Sequence, residues 1–221
     1  MKYKCCIFDL DGTLINTIYA LNKTINLMLE QLGYAPIDEA HTKIFVGDGY
    51  QNFVKRALEY RGDKGLCHLE EALKIYCEIF QQNCLYQIQA YDGMKELLDY
   101  LKENGIKIAV LTNKADAQAV ENIETVYGKG YFDLITGERP DRKRKPDPQG
   151  AWYTAETLNV KREECLYFGD TNTDMRTGIA AKMDTVGVTW GFREREELEE
   201  FKPKYIMDSP WEVLKFFKDM T

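Results

Sequence analysis

Short apolar runs that alternate with amphipathic helical stretches place the strongest constraint on this chain. YKCCIFD (3–9), IKIAVLT (106–112), FDLITG (132–137), ECLYFGD (164–170) and TVGVTW (185–190) are strand candidates, and YIM (205–207) is a weaker sixth. Several are continuously apolar, as strands buried on both faces should be. Among the helices between them, DGMKELLDYLKENG places Met94, Leu97, Leu98 and Leu101 on one stripe. It should open with Asp92 as N-cap and stop at Gly105. DPQGAWYTAETL should open with Asp147 as N-cap and Pro148 in the first helical position. The alternation predicts an α/β fold: a doubly wound parallel sheet with helices on both faces.

One stretch breaks the pattern. From residue 14 to 87 there is helical periodicity and no strand. Ile18, Leu21, Ile25, Met28, Leu29 and Leu32 form one stripe, Tyr50, Phe53, Val54, Ala57 and Leu58 a second, and Leu69, Leu73, Tyr76, Cys77 and Phe80 a third. An all-helical domain over 14–87 is therefore expected, inserted into a core of 1–13 and 88–221. Decoration is the plain reading of such an insertion; a mobile lid is the sharper one.

Bulk properties narrow the function. A chain of 221 residues, 44% hydrophobic and 29% charged, is an ordinary globule. No apolar run approaches the roughly 20 residues of a membrane span, and the start has no signal-peptide pattern, so a cytoplasmic, non-membrane protein is expected. The net charge of -7 argues against nucleic-acid partners. Cys5, Cys6, Cys67, Cys77, Cys84 and Cys165 contain no CxxC pair and are expected to be buried reduced thiols. His41 and His68 are expected at the surface.

The chemistry gathers at strand ends. In DLDGT, Asp9 and Asp11 are two apart, so a strand points both the same way. In an open parallel sheet the C-terminal strand ends form the ligand crevice. Two carboxylates crowded there repel each other unless a cation lies between them, and oxygen-only ligands suit Mg²⁺. A turn with a helix cap is the competing reading of DLDGT. Other strand ends shift the balance. VLTNK offers the Thr112 hydroxyl and the Asn113 amide; YFGDTNTD offers Asp170 and Asp174, with Gly169 allowing close backbone approach. Each alone could be a helix cap. Lys145 precedes Pro146, which biases it to an extended conformation on a stiff loop. The surrounding Arg139, Arg142, Lys143 and Arg144 read mainly as a solvated loop. Carboxylates, a hydroxyl and a lysine together suit phosphoryl transfer.

With these four motifs in order at strand ends, the chain resembles the haloacid dehalogenase superfamily over nearly its whole length. DLDGTL, VLTNK, KPDP and GDTNTD look like the four motifs, and the insertion is similar to the helical cap of one large subfamily. GVTWGFREREEL resembles a segment of phosphoglycolate phosphatase-like members. The resemblance implies a Rossmann-like core with strand order 3-2-1-4-5 and a small phosphorylated metabolite as substrate. It implies Asp9 as nucleophile forming an aspartyl-phosphate, and Asp11 as acid for the leaving oxygen and base for water. It implies Mg²⁺ on Asp9, the Asp11 carbonyl and Asp170, with Asp174 supporting the metal's waters or Lys145. Thr112, Asn113 and Lys145 would bind the phosphate. Asn16-Thr17 departs from the usual Asp-Ser, and MDT replaces the usual small-residue turn after GIAAK.

Substrate choice is assigned to the insertion. Gly47-Asp48-Gly49 before a helical stripe suggests a closing loop, with Gly49, Tyr50, Gln51 and Arg56 as candidate contacts. A phosphosugar mutase of the same family is the nearest rival, although VGDGYQN lacks the basic residue that such mutases share in that loop. A phospho-aspartate signalling module is a more distant rival, since its acceptor ends a later strand and it has no helical insertion. A non-catalytic binding protein on this fold is the third.

Overall fold

The computed structural model describes residues 2–220. Eight strands occur among them: β1 (Cys5–Phe8), β2 (Ile15–Asn16), β3 (Gln89–Ala90), β4 (Lys107–Ala115), β5 (Leu134–Glu138), β6 (Cys165–Gly169), β7 (Asp184–Val188) and β8 (Tyr205–Met207). The α-helices are α1 (Ile18–Gln31), α2 (Glu39–Phe45), α3 (Tyr50–Tyr60), α4 (Leu69–Asn83), α5 (Met94–Glu103), α6 (Asp116–Tyr127), α7 (Gln149–Thr157), α8 (Asn172–Ala180), α9 (Arg195–Glu199) and α10 (Pro210–Asp219). Two compact units emerge, residues 1–16 with 90–221, and residues 17–89.

The first unit is built on a six-stranded sheet of order β5-β4-β1-β6-β7-β8, every described pairing parallel. Numbered along this sheet, that is 3-2-1-4-5 with YIM added as a sixth, edge strand. All four residues of β1 are buried, as a two-faced apolar run requires. Register puts Phe8 beside Phe168, and their rings stack with centroids 4.6 Å apart. One face of β1, β4 and β6 (Ile7, Leu111, Tyr167) packs on Ala151 and Ala155 of α7. Both central strands therefore finish side by side, and the chain leaves each through an aspartate.

Two caps differ from the sequence reading. Helix α5 starts after Gly93, which lies at φ 76°, and the Asp92 carboxylate instead accepts the Trp211 indole N–H at 2.8 Å. A Cβ on Gly93 would fall 2.6 Å from that indole, so the ring occupies the room a side chain would need. Helix α7 is capped at Pro148, one residue later than expected, while the Asp147 carboxylate accepts the Gln149 N–H at 3.0 Å.

In the helical unit, α1 packs on α2 and α4, and α3 on α4. The stripes of α1 and α3 are buried much as their periodicity predicts, although Leu32 falls just outside α1 as its C-cap. In α4 the fully buried residues are Ala72 and Tyr76, while Cys77 is exposed. Tyr76 stacks with Tyr50 and Phe80. Helix α2 has no apolar stripe and buries only Thr42. It is held by polar bonds: Asp38 caps it by accepting from His41 N–H, and Asn22 donates to Thr42 at 2.8 Å. The two crossings between units contribute β2 and β3, which pair as a two-stranded sheet.

All six cysteines are free; four are buried, and Cys67 and Cys77 are exposed, which corrects the expectation of six buried thiols. His68 is exposed and His41 half-buried. No helix among the described residues is long and apolar enough to cross a membrane.

Candidate active site

The site is assembled where β1, β4 and β6 end. The Asp9 N–H donates to the Phe168 carbonyl at 2.9 Å, so the β1–β6 ladder carries the chain to the first aspartate. Asp9, Asp170 and Asp174 are all buried, and each offers a carboxylate oxygen within 4.8 Å of the others. The Lys145 ammonium is buried between two of them, 2.6 Å from Asp9 Oδ1 and 2.7 Å from Asp174 Oδ1.

Each group is fixed by a specific neighbour. Asp174 is the third residue of α8 and closes a capping box with Thr171: its Oδ2 accepts the Thr171 N–H at 3.1 Å and hydroxyl at 2.6 Å. The helix cap and the site thus share one carboxylate. A Cβ on Gly169 would lie 2.1 Å from Asp174 Cβ, so β6 must end in glycine for the two to approach. Asp170 accepts from the Thr13 hydroxyl at 3.0 Å and from the Phe192 N–H at 2.8 Å. Phe192 follows Gly191, where a Cβ would come 2.4 Å from both Asp170 and the Gly12 carbonyl. Trp190 closes this loop by donating its indole N–H to the Thr13 carbonyl at 3.0 Å. The Trp190–Phe192 turn is a supporting wall that sequence reading missed.

Electrostatics favour a cation. Burial, then Asp174, pushes the Asp170 carboxyl up to about 7, against the lowering by Phe192 and Thr13. Burial and the neighbouring carboxylates push Asp9 well above its ordinary range, although Lys145 opposes them. Burial works against the Lys145 charge, but Asp174 and Asp9 outweigh it and hold it protonated. With all three carboxylates ionised, the Lys145 ammonium would leave the buried cluster negatively charged, and that repulsion adds to burial in pushing Asp9 and Asp170 up. Asp9 Oδ2 has no partner among the described residues. This donor set fits a hard divalent cation such as Mg²⁺.

The remaining candidates divide. Thr112 is buried at the end of β4; its oxygen accepts the Lys114 N–H at 3.2 Å, and its own proton has no acceptor among the described residues. It is available to a ligand. Asn113, expected to meet the substrate, bonds the main chain of Lys145 through its amide, Oδ1 accepting the Lys145 N–H at 2.8 Å and Nδ2 donating to its carbonyl at 3.1 Å. These bonds tie the end of β4 to the Lys145 backbone. The Asp11 carboxylate lies outside the three-carboxylate cluster and pairs with Lys114, at 2.8 Å. Lys114 was not singled out in the sequence, and β4 is irregular between Leu111 and Ala115, so strand alternation does not carry through to it.

Gly49, Tyr50, Gln51 and Arg56 belong to the helical unit. Gly49 caps α3 at φ 88°, and Tyr50 and Gln51 begin it. The Arg56 guanidinium donates to the Phe45 carbonyl at 2.8 Å and pairs with Asp48. It therefore ties down the 47–49 loop that precedes its own helix. The basic run is mostly self-paired, Arg144 with Glu138 and Lys143 with Asp147, and Arg142 stacks 4.0 Å over Tyr153.

Comparison with known proteins agrees with this geometry. Residues 6–188 match the family described as haloacid dehalogenase-like hydrolase. A protein of Colwellia psychrerythraea named phosphoglycolate phosphatase is 32% identical over 213 residues, 94% of either chain. A Caldanaerobacter subterraneus protein, provisionally named pyrophosphatase PpaX, is 31% identical over 99% of this chain and 96% of its own. A crystal structure from Lactobacillus delbrueckii, provisionally described as a phosphoglycolate phosphatase, superposes with TM-score 0.91 at 28% identity, covering 97% of this chain and 98% of the other.

Proposed function

Because this chain belongs to the haloacid dehalogenase-like hydrolases, we propose that it is a Mg²⁺-dependent phosphatase that cleaves a small phosphate monoester through a phosphorylated Asp9. The observation that carries the reading is the Lys145 ammonium buried between Asp9 and Asp174 beside Asp170. Structural ion pairs seldom leave a net negative charge sealed in a protein, whereas phosphoryl-transfer sites gather such groups for a cation and a phosphate.

In this reading Asp9 attacks phosphorus and displaces the leaving oxygen, which takes a proton from Asp11. Asp11 then accepts a proton from water as that water attacks the acyl-phosphate and frees Asp9. Thr112 donates its hydroxyl hydrogen to a phosphoryl oxygen, and Lys145 balances the charge on the phosphoryl group and on Asp9. Mg²⁺ would be held by Asp9, Asp170 and the Asp11 main-chain carbonyl, and supplies further neutralisation of the phosphoryl oxygens. Asp174 orients Lys145. Asn113 holds the Lys145 backbone and so fixes where its charge is presented.

The names of the relatives support a small anionic ester, phosphoglycolate first. Gly49, Tyr50 and Gln51 are proposed to meet the leaving group, with Arg56 holding their loop. The test is phosphate release from a panel of small esters, 2-phosphoglycolate included, with Mg²⁺ and with EDTA. Release from one or a few esters only with Mg²⁺ is the expected result. No release from any ester overturns the reading and turns attention to sugar-phosphate isomerisation or to binding alone.

A further inference from the structure

The GVTWGF segment has no part in the chemistry above. Strand β7 ends at Val188, and Trp190, Gly191 and Phe192 form the turn beyond it. That turn passes directly against Asp170. A Cβ on Gly191 would lie 2.4 Å from Asp170 Oδ2 and 2.4 Å from the Gly12 carbonyl, so no layer of water separates the turn from the carboxylate.

Two donors hold Asp170. The Thr13 hydroxyl donates to Oδ1 at 3.0 Å, and the Phe192 N–H donates to Oδ2 at 2.8 Å. One donor on each oxygen fixes the rotation of the carboxylate as well as its place. Burial and Asp174 raise the pKa of this group, and the two bonds work against them in favour of the ionised form. Half-buried Trp190 is joined to both donors. Its indole N–H donates to the Thr13 carbonyl at 3.0 Å, and Phe192 lies two residues along the same turn. One indole bond therefore ties the turn that carries one donor to the segment that carries the other.

We infer that Trp190 is a positioning residue for the cation site: it holds both donors on Asp170 and so presets that carboxylate for Mg²⁺. An indole N–H is a donor only, so Trp190 acts through Thr13 and Phe192 and not by ligating the ion. Loss of such outer partners of a metal ligand weakens metal binding by about 10–100-fold. The inference rests on the proposed Mg²⁺ site at Asp170.

The experiment measures Mg²⁺ affinity of the full chain without substrate, by calorimetric titration and by the unfolding midpoint across a Mg²⁺ series. It compares the unmodified protein with Trp190→Phe, which keeps an aromatic ring and loses the N–H. The Kd for Mg²⁺ should rise about tenfold in the variant. The unfolding midpoint in EDTA should change little, and saturating Mg²⁺ should restore most of kcat. A residue that merely packs would lower the EDTA midpoint and leave the Mg²⁺ affinity alone.

An unchanged Kd in Trp190→Phe overturns the inference and leaves the phosphatase reading intact. If that variant does not fold, Thr13→Val decides, because it removes one donor and keeps the turn. Weaker Mg²⁺ binding there upholds the inference, and unchanged binding overturns it. An unmodified protein that does not bind Mg²⁺ removes the metal site and this inference with it, while phosphate release from the ester panel separately decides whether the chain is a phosphatase.

Discussion

The Asn113 side chain and the main chain of Lys145 form a closed pair of hydrogen bonds. Asn113 Oδ1 accepts the Lys145 N–H at 2.8 Å, and Nδ2 donates to the Lys145 carbonyl at 3.1 Å. The end of one strand thereby sets the position of a loop more than thirty residues on. Asn113→Ala leaves two main-chain groups without partners, which costs about 1–3 kcal/mol. A matching loss in urea unfolding is expected, together with a fall in kcat/KM of about tenfold. Unchanged turnover at reduced stability would mean that Lys145 is positioned by other contacts.

Asp9→Asn removes the proposed nucleophile and keeps its shape. Phosphate release should fall by about a thousandfold or more. The thermal unfolding midpoint should not fall, because the change relieves carboxylate crowding. Retention of a tenth of the activity would exclude Asp9 as the attacking group.

Mg²⁺ should be required for turnover and should raise the unfolding midpoint, since a ligand that binds only the native state stabilises it by RT ln(1 + [L]/Kd), which grows with the logarithm of its concentration. EDTA should reverse both effects. Asp170→Asn should fold and lose the Mg²⁺-dependent rise, because a main-chain N–H and a hydroxyl already satisfy part of that carboxylate. A full thermal response to Mg²⁺ in that variant would place the ion elsewhere.

Gly169→Ala would put a Cβ 2.1 Å from Asp174 Cβ. The clash is with a side chain held by a capping box and an ion pair, so it has no easy relief. A destabilisation of about 2–3 kcal/mol is expected from such overpacking, with loss of activity as Asp174 is displaced. Near-native stability and turnover would show that β6 and α8 can part without harm.

Asp184 lies at the start of β7, at the opposite end of the strands from the site and one strand in from the β8 edge. Burial alone would raise its pKa, but the bonds from Lys2, Lys204 and Tyr3 outweigh it and hold the group at about 2. A carboxyl depressed in the folded state stabilises above its unfolded pKa of about 4 and loses that contribution as pH falls toward 2. Because the group is partly exposed, solvent screening brings the effect to about 1 kcal/mol. Asp184→Asn should therefore lower stability at pH 7 and have little effect near pH 2. An equal loss at both pH values would trace it to packing.

Much of the sheet is legible because its strands are apolar on both faces, a pattern that few other structures tolerate. Even YIM, only three residues long, forms the edge strand at the expected place. Helix α2 was illegible because polar bonds from Asp38 and Asn22 hold it rather than an apolar stripe. On α4 the predicted stripe fails at Cys77, which is exposed, while Ala72, left out of that stripe, is buried beside Tyr76. At the site, Asp9, Asp170, Asp174 and Lys145 stand out as strand-end or rigid-loop residues. Lys114, Thr13 and the Trp190–Phe192 turn do not. Their partners lie far away in sequence, and no local pattern announces a hydrogen bond to Asp170 or an ion pair with Asp11.

The sequence by itself determined the parallel sheet, the helical insertion and the kinds of group at the strand ends, because periodicity and residue chemistry are local properties. Tertiary structure alone decided how those groups are shared. It put Lys145 between Asp9 and Asp174, turned Asp11 to Lys114 and gave the Asn113 amide to a backbone. Each assignment depends on which buried charges come within about 3 Å, and that is set by strand register and packing rather than by any one segment.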